Sequence, residues 1–282
     1  MAKSRPTLPI AIFLIAISSG PWFSECTNFT IVNRCKETIW PGLIPSKNIS
    51  TTGLALKSGL STVFTAPSGW HGRIWGRTGC SFDSSNKGTC LTGGCGNETC
   101  SVPGKQPATI AEFTLGELDF YDVSLVGGFN LPMIVTPVQG KGNCSTVGCE
   151  GDLRDSCPSE LAVKSNGKTI GCQSACDYFK TDEYCCRGTY ENPESCQATN
   201  YSSSFKKVCP AAYSYAYDAP TSMFTCSNVS DYIVTFCPSR NQTECTYHGH
   251  KLVCNESGLK MGIEAITRSW WIVMLTLFAT AS

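Results

Sequence analysis

The stretch that decides the fold is 108-ATIAEFTLGELDFYDVSLV-126. Ala111, Phe113 and Leu115 alternate with Glu112 and Thr114. A turn signal follows at Gly116, and Tyr121, Val123 and Leu125 then alternate with Phe120, Asp122 and Ser124. A period of two, rich in aromatic and β-branched residues and broken by glycine, predicts two half-buried strands. The same texture runs outward in both directions. "FTIVNRC" (29–35), "STVFTAP" (61–67), "GRIWGRTGC" (72–80) and "MIVTPV" (133–138) read as further strands, with Gly, Pro, Asn and Ser between them. No helical period of any length interrupts residues 28–137. The expected class is mainly β: a flattened antiparallel β-sandwich or barrel.

From Cys144 to Cys209 the texture changes. Cysteines crowd the chain and apolar runs are short, so this second, loop-rich region has to be ordered by disulfides rather than by burial. One short helix is expected around "CQSACDYFK" (172–180), where Ala175, Tyr178 and Phe179 share a face. Strand texture returns between Ala212 and Pro238 in "MFTC" and "DYIVTFCP".

The cysteines also report the compartment. The chain has 19 cysteines and 16% charged residues, with a formal net charge of zero. It opens with Lys3 and Arg5, an apolar run from Ile10 to Ile17, and small residues up to Cys26, the pattern of a secretory signal peptide spanning 1–26. Cutting after Cys26 leaves an even set of 18 that can pair completely. Disulfides persist in oxidising compartments, and the adjacent Cys185–Cys186 argues against zinc, so no metal and no cofactor is expected. Eight N-x-[ST] sequons agree with export: Asn28, Asn48, Asn97, Asn143, Asn200, Asn228, Asn241 and Asn255. No basic run with interleaved aromatics is present, which removes electrostatic support for a nucleic-acid partner.

The ordered set "FTIVNRC", "TIWPG", "GRIWGRTGCSFD", "GTCLTGGCG", "IAEFTL", "LDFYDVSLVGGFNLPM", "CQSACDYFKTDEYCC", "TNYSSSFKKVCPAAYSYAYD" and "FTCSNVSDYIVTFCP" resembles the plant thaumatin-like, pathogenesis-related family over residues 27–238. The resemblance implies a thaumatin-like sandwich with eight bridges: Cys35–Cys237, Cys80–Cys90, Cys95–Cys100, Cys144–Cys226, Cys149–Cys209, Cys157–Cys172, Cys176–Cys185 and Cys186–Cys196. It also implies a cleft between the sandwich and the loop-rich region. That cleft would be lined by Arg73, Glu112, Asp122 and Asp218. Gly127 stands where the family usually has another aspartate, and Gly94 likewise departs from its signature.

The residues themselves allow two readings. Two carboxylates in unequal environments are what glycoside hydrolysis needs, with Glu112 as acid and Asp122 as its partner. The lost aspartate at Gly127 should lower the pKa of the carboxylates that remain, which disfavours a protonated acid. Alternatively, Arg73 forms a plain ion pair with Glu112 or Asp122. His71 reads as a surface-turn histidine, with no GxSxG to serve. Phe120, Tyr121, Phe129, Tyr213, Tyr215 and Tyr217 are candidates for sugar stacking, with core packing the more ordinary use.

After Pro238 a glycosylated stalk is expected over 239–257. In it a ninth disulfide, Cys245–Cys254, is favoured over a small zinc site with His248 and His250. "NESG", a spacer and the terminal strip "WWIVMLTLFATAS" read as a lipid-anchor signal over 258–282, attached at Ser257, with Gly258 and Asn255 as alternatives. A longer membrane segment from about Leu259 is the rival. The sequence-level expectation is therefore a monomeric defence protein on the outer face of the plasma membrane, or free in the apoplast. Its cleft would bind cell-wall β-1,3-glucan or another polysaccharide, with antifungal activity implied by the resemblance. A weak endo-β-1,3-glucanase and a surface protein that binds a protein partner are the alternatives.

Overall fold

The structure is a computed structural model that describes residues 26–45, 54–142 and 144–239, together with the backbone of 245–248 and 251–254. In chain order the strands are β1 (Thr27–Asn33), β2 (Ile39–Ile44), β3 (Ser61–Ala66), β4 (His71–Thr78), β5 (Ser81–Phe82), β6 (Gly88–Thr89), β7 (Ile110–Thr114), β8 (Leu118–Ser124), β9 (Met133–Val138), β10 (Val147–Cys149), β11 (Ala162–Ser165), β12 (Lys168–Cys172), β13 (Phe224–Ser227), β14 (Asp231–Phe236), β15 (Cys245–His248) and β16 (Lys251–Cys254). Two five-stranded sheets carry the fold, ordered β10-β9-β14-β1-β3 and β13-β8-β7-β4-β2.

The period-two pattern puts one face of each sheet inward. Phe29 and Tyr232 from the first sheet meet Phe113 and Tyr121 from the second, with ring centroids 4.8 Å apart for Phe29–Phe113 and 5.6 Å for Tyr121–Tyr232. These rings are buried and join one continuous apolar core. Pro41 sits within β2, which is tolerated because β2 is an edge strand and proline has no N–H to donate to a ladder.

One pairing departs from the antiparallel expectation. β1 and β14 run parallel, from Asn28 opposite Asp231 to Asn33 opposite Phe236. The first and last strands of the sandwich thus end together, and Cys35 and Cys237 are bonded just beyond that end.

All eight pairs named above are present as disulfides. Cys26 is free and exposed. The stapled region holds α1 (Ala175–Phe179), α2 (Asp182–Cys185) and α3 (Asn200–Val208). The helix expected near 172–180 is α1. The longest helix, α3, went unread. Its signals were a Thr199-x-x-Ser202 capping box and apolar residues at Tyr201, Phe205 and Val208. The β15–β16 hairpin sets Cys245 opposite Cys254. The bond between them, the signal peptide up to residue 25, Ser257 and the anchor signal, and the sequons Asn48, Asn143, Asn241 and Asn255 lie outside the described residues and side chains.

Candidate functional site

The site is built by register. Arg73 on β4 stands opposite Glu112 on β7, and Glu112 stands opposite Asp122 on β8. Ile44 on β2 extends the same row beyond Arg73. Directly opposed residues hold their Cβ atoms about 5 Å apart, so three charged side chains share one outer-face row. The next row is His71, Thr114 and Phe120. Above both rows lies a cavity of about 540 Å³, walled in part by Pro45, Ser101 and Met223. Phe120 and Met223 keep about two-fifths of their surface exposed on its rim.

The carboxylates differ sharply. Arg73 Nε meets Glu112 Oε1 at 2.6 Å, with both side chains partly exposed. Asp122 is 5% exposed, and its Oδ1 has no hydrogen-bond partner among the described residues. Strand alternation places Asp122 outward, but the segment beyond α3 covers it: Tyr213 N donates to Val123 O and Met223 closes the wall. Burial first, and the neighbouring Glu112 carboxylate second, push Asp122 up to about 8, with Arg73 opposing them. For Asp122 burial therefore favours the protonated acid that the glycine at position 127 was expected to disfavour. Tyr213 is likewise raised to about 12, by burial and then by Asp122, Asp218 and Glu112.

A pH test follows. Asp122 holds its proton more tightly folded than unfolded. Its contribution to stability is full below pH 4 and falls as pH rises towards 8, by on the order of a few kcal/mol. Asp122→Asn should flatten that slope. Urea unfolding at pH 4.5 and pH 8 checks this, and an unchanged slope would contradict the burial argument.

Asp218 is placed elsewhere. Its Oδ2 pairs with Lys206 Nζ at 2.8 Å and accepts from Ser214 N and Oγ, and its Oδ1 accepts from Thr221 Oγ1. It does not line the cavity. Its carboxylate braces the 212–222 segment, and of the four expected cleft residues Arg73, Glu112 and Asp122 line this cavity. Lys206 gave no sequence signal, since it reads as an ordinary helix lysine. The cavity also lacks any wall from 144–209 among the described residues, contrary to the expected place between sandwich and stapled region.

The remaining candidates separate by burial. Tyr121 and Phe129 are fully buried and Tyr213 nearly so. Phe120 is the one candidate ring on the cavity wall. Tyr215 and Tyr217 are half-buried beside Asp218. His71 opens β4 rather than lying in a turn, and its Nδ1 is 3.3 Å from Thr114 Oγ1. A Cβ on Gly127 would meet the Gln106 amide nitrogen at 3.1 Å, and one on Gly94 would meet Cys90 at 3.3 Å.

A disulfide-braced, two-sheet sandwich with an acid pair and an arginine in one outer row defines the class of protein. The chain belongs to the thaumatin family, whose model matches residues 33–238. It is 50% identical over 238 residues to pathogenesis-related thaumatin-like protein 3.5 of Cryptomeria japonica, covering 83% of this chain and 99% of that one. It is 48% identical over 239 residues to a glucan endo-1,3-beta-glucosidase of Prunus avium, covering 81% and 97%. Among solved structures, a laminaripentaose-producing β-1,3-glucanase in complex with laminaritetraose shares the fold, with a TM-score of 0.51 at 12% identity, over 76% of this chain and 99% of that one.

Proposed function

We propose that this chain is an extracellular, defence-related protein that binds neutral cell-wall β-1,3-glucan in the cleft on the β13-β8-β7-β4-β2 sheet. The observation that carries the reading is Asp122: a buried carboxyl, one oxygen of which has no hydrogen-bond partner among the described residues, in the wall of a cavity of oligosaccharide size. At the mildly acidic pH of a cell wall it is protonated and donates a hydrogen bond to a sugar hydroxyl. Arg73 and Glu112 compensate each other, so the cleft attracts no strongly charged polymer. Phe120 offers a ring face on the rim, where one end of a sugar packs and the other stays wet. The names of the relatives support the glucan and the defence role.

Titration with a soluble β-1,3-gluco-oligosaccharide tests the reading. Phe120→Ala should weaken binding by about tenfold, the equivalent of one lost ring contact. No binding by the wild type would sink it and move the weight to a protein partner at the cell surface.

The unequal acid pair also favours a second reading, slow endo-β-1,3-glucan hydrolysis, with the roles exchanged from the sequence-level assignment. Asp122 carries the proton for the leaving oxygen, and Glu112 is the ion-paired carboxylate that serves as base or nucleophile. The Arg73 contact holds Glu112 back from that work. If the chain hydrolyses glucan, Asp122→Asn should cut the release of reducing ends by about 10²–10⁴-fold while oligosaccharide still binds. Release that is unaffected in Asp122→Asn would exclude the exchanged roles.

We also read residues 1–26 as a signal peptide, 239–257 as a stalk and 258–282 as a lipid-anchor signal attached at Ser257. That places the sandwich on the outer face of the plasma membrane, with release to the apoplast as the alternative. No helix among the described residues is long and apolar enough to cross a membrane.

A further inference from the structure

A second groove lies in the stapled region, away from the cleft. It encloses about 690 Å³ and is bordered by Tyr184, Tyr190, Gln197, Thr199, Asn200 and Tyr201. The Tyr184 and Tyr201 rings stand 5.7 Å apart, nearly perpendicular. Tyr201 is fixed by donating its hydroxyl to Glu160 Oε1 at 2.8 Å. Tyrosine faces with polar groups at their rims suit a sugar, which has an apolar side and hydroxyl edges.

Asn200 is itself one of the groove's border residues. It is exposed, it is the first residue of α3, and it heads the sequon Asn200-Tyr201-Ser202. Asn28, Asn97 and Asn228 are likewise exposed, yet they line neither this groove nor the cleft. We propose that Asn200 carries an N-glycan whose innermost N-acetylglucosamine folds back into this groove and packs on Tyr184 and Tyr190. The proposal rests on the reading that the chain is exported through the secretory route. Tethering supplies what weak stacking lacks, because a ligand attached at the lip acts at an effective concentration in the millimolar range or above.

The proposal implies that the sugar is added before α3 folds. Ser202, the sequon's hydroxyl residue, is 7% exposed. Its Oγ accepts from Thr199 N at 2.8 Å and donates to Thr199 O at 3.1 Å, as part of the α3 capping box. A folded α3 withholds that hydroxyl, so transfer precedes folding of the helix. In the transfer Asn200 Nδ2 loses a proton and bonds to C1 of the sugar. The polyprenyl diphosphate of the lipid-linked oligosaccharide donor leaves with the electron pair of the C1–O bond.

The test expresses the full chain in cells whose N-glycans lack core fucose, maps occupancy by mass spectrometry, and follows release by a peptide-N-glycosidase under native conditions. The Asn200 glycan should come off about tenfold more slowly than those on Asn97 and Asn228, and equally fast after denaturation. A Tyr184→Ala, Tyr190→Ala variant should abolish the difference. An unoccupied Asn200 beside occupied Asn97 and Asn228 would overturn the proposal while leaving export intact. Equal native release, or protection that survives the tyrosine substitutions, would also overturn it. Should the tyrosine variant fail to fold, the wild-type comparison between sites decides. A chain bare at every sequon would remove the export reading and this proposal together.

Discussion

Replacing Cys35 and Cys237 together by serine lowers the unfolding free energy by about 5 kcal/mol, the largest loss expected from any single bridge. The bond joins residues 202 apart in sequence, against 5 for Cys95–Cys100, whose removal should cost about 2 kcal/mol. Cys144–Cys226 spans 82 residues inside the same loop and shortens the path through it. Loop entropy grows only as a logarithm, so that shortcut subtracts little. The bridge also lies just past the ends of β1 and β14, a parallel pair whose strands come from opposite ends of the sandwich. Without it β1 is held by its ladders to β14 and β3 and by the burial of Phe29 and Ile31. For a domain of this size the loss corresponds to a fall in Tm of about 15 °C. Scanning calorimetry of the two double-serine variants side by side checks the order. Equal losses for the long and short loops would contradict it.

Arg77→Met should cost about 4 kcal/mol. Arg77 is fully buried, and its guanidinium donates to four carbonyls: Trp40 O at 3.0 Å, Pro41 O at 3.4 Å, Asn97 O at 2.9 Å and Glu98 O at 2.8 Å. It also lies 5.5 Å from the centre of the Phe82 ring. Burial lowers its pKa to about 10, which leaves it charged at any physiological pH. Methionine fills much of the volume but strands those carbonyls, each at a cost of about 1 kcal/mol or more. The segment around Cys95–Cys100 loses its hold on β2 and β4. Arg73→Met is the matched control, four residues earlier on the same strand. Its ion pair is half exposed and should be worth about 1 kcal/mol or less. Urea denaturation of both variants separates the cases. A difference below about 1 kcal/mol would mean that water satisfies the abandoned carbonyls.

The two arginines show what sequence reading reaches. β4 was legible as a strand from its texture, while its register with β7 and β8 came from the structure. The resemblance brought Arg73, Glu112 and Asp122 together, and the strand register puts them in one row. Arg77 leaves no local signal, because its partners are backbone carbonyls contributed from two distant segments. The sequence offers Asp122 as a cleft candidate but not its burial, which raises its pKa. Its pKa is set by cover from the 212–223 segment, and burial by a remote segment leaves no local pattern. The partner of Asp218 was hidden for a related reason: the Lys206 amine that pairs with it comes from α3. The helix itself was hidden by "SSS" within it, although the capping box at its start was readable.

On the proposed reading the cleft binds β-1,3-glucan through Asp122. The most direct measurement is co-sedimentation of the secreted protein with insoluble β-1,3-glucan at pH 5, wild type beside Asp122→Ala, with circular dichroism confirming that both are folded. The wild type should pellet with the glucan and the variant should stay in the supernatant. Equal pelleting of the two, or a wild type that never leaves the supernatant, would contradict the account.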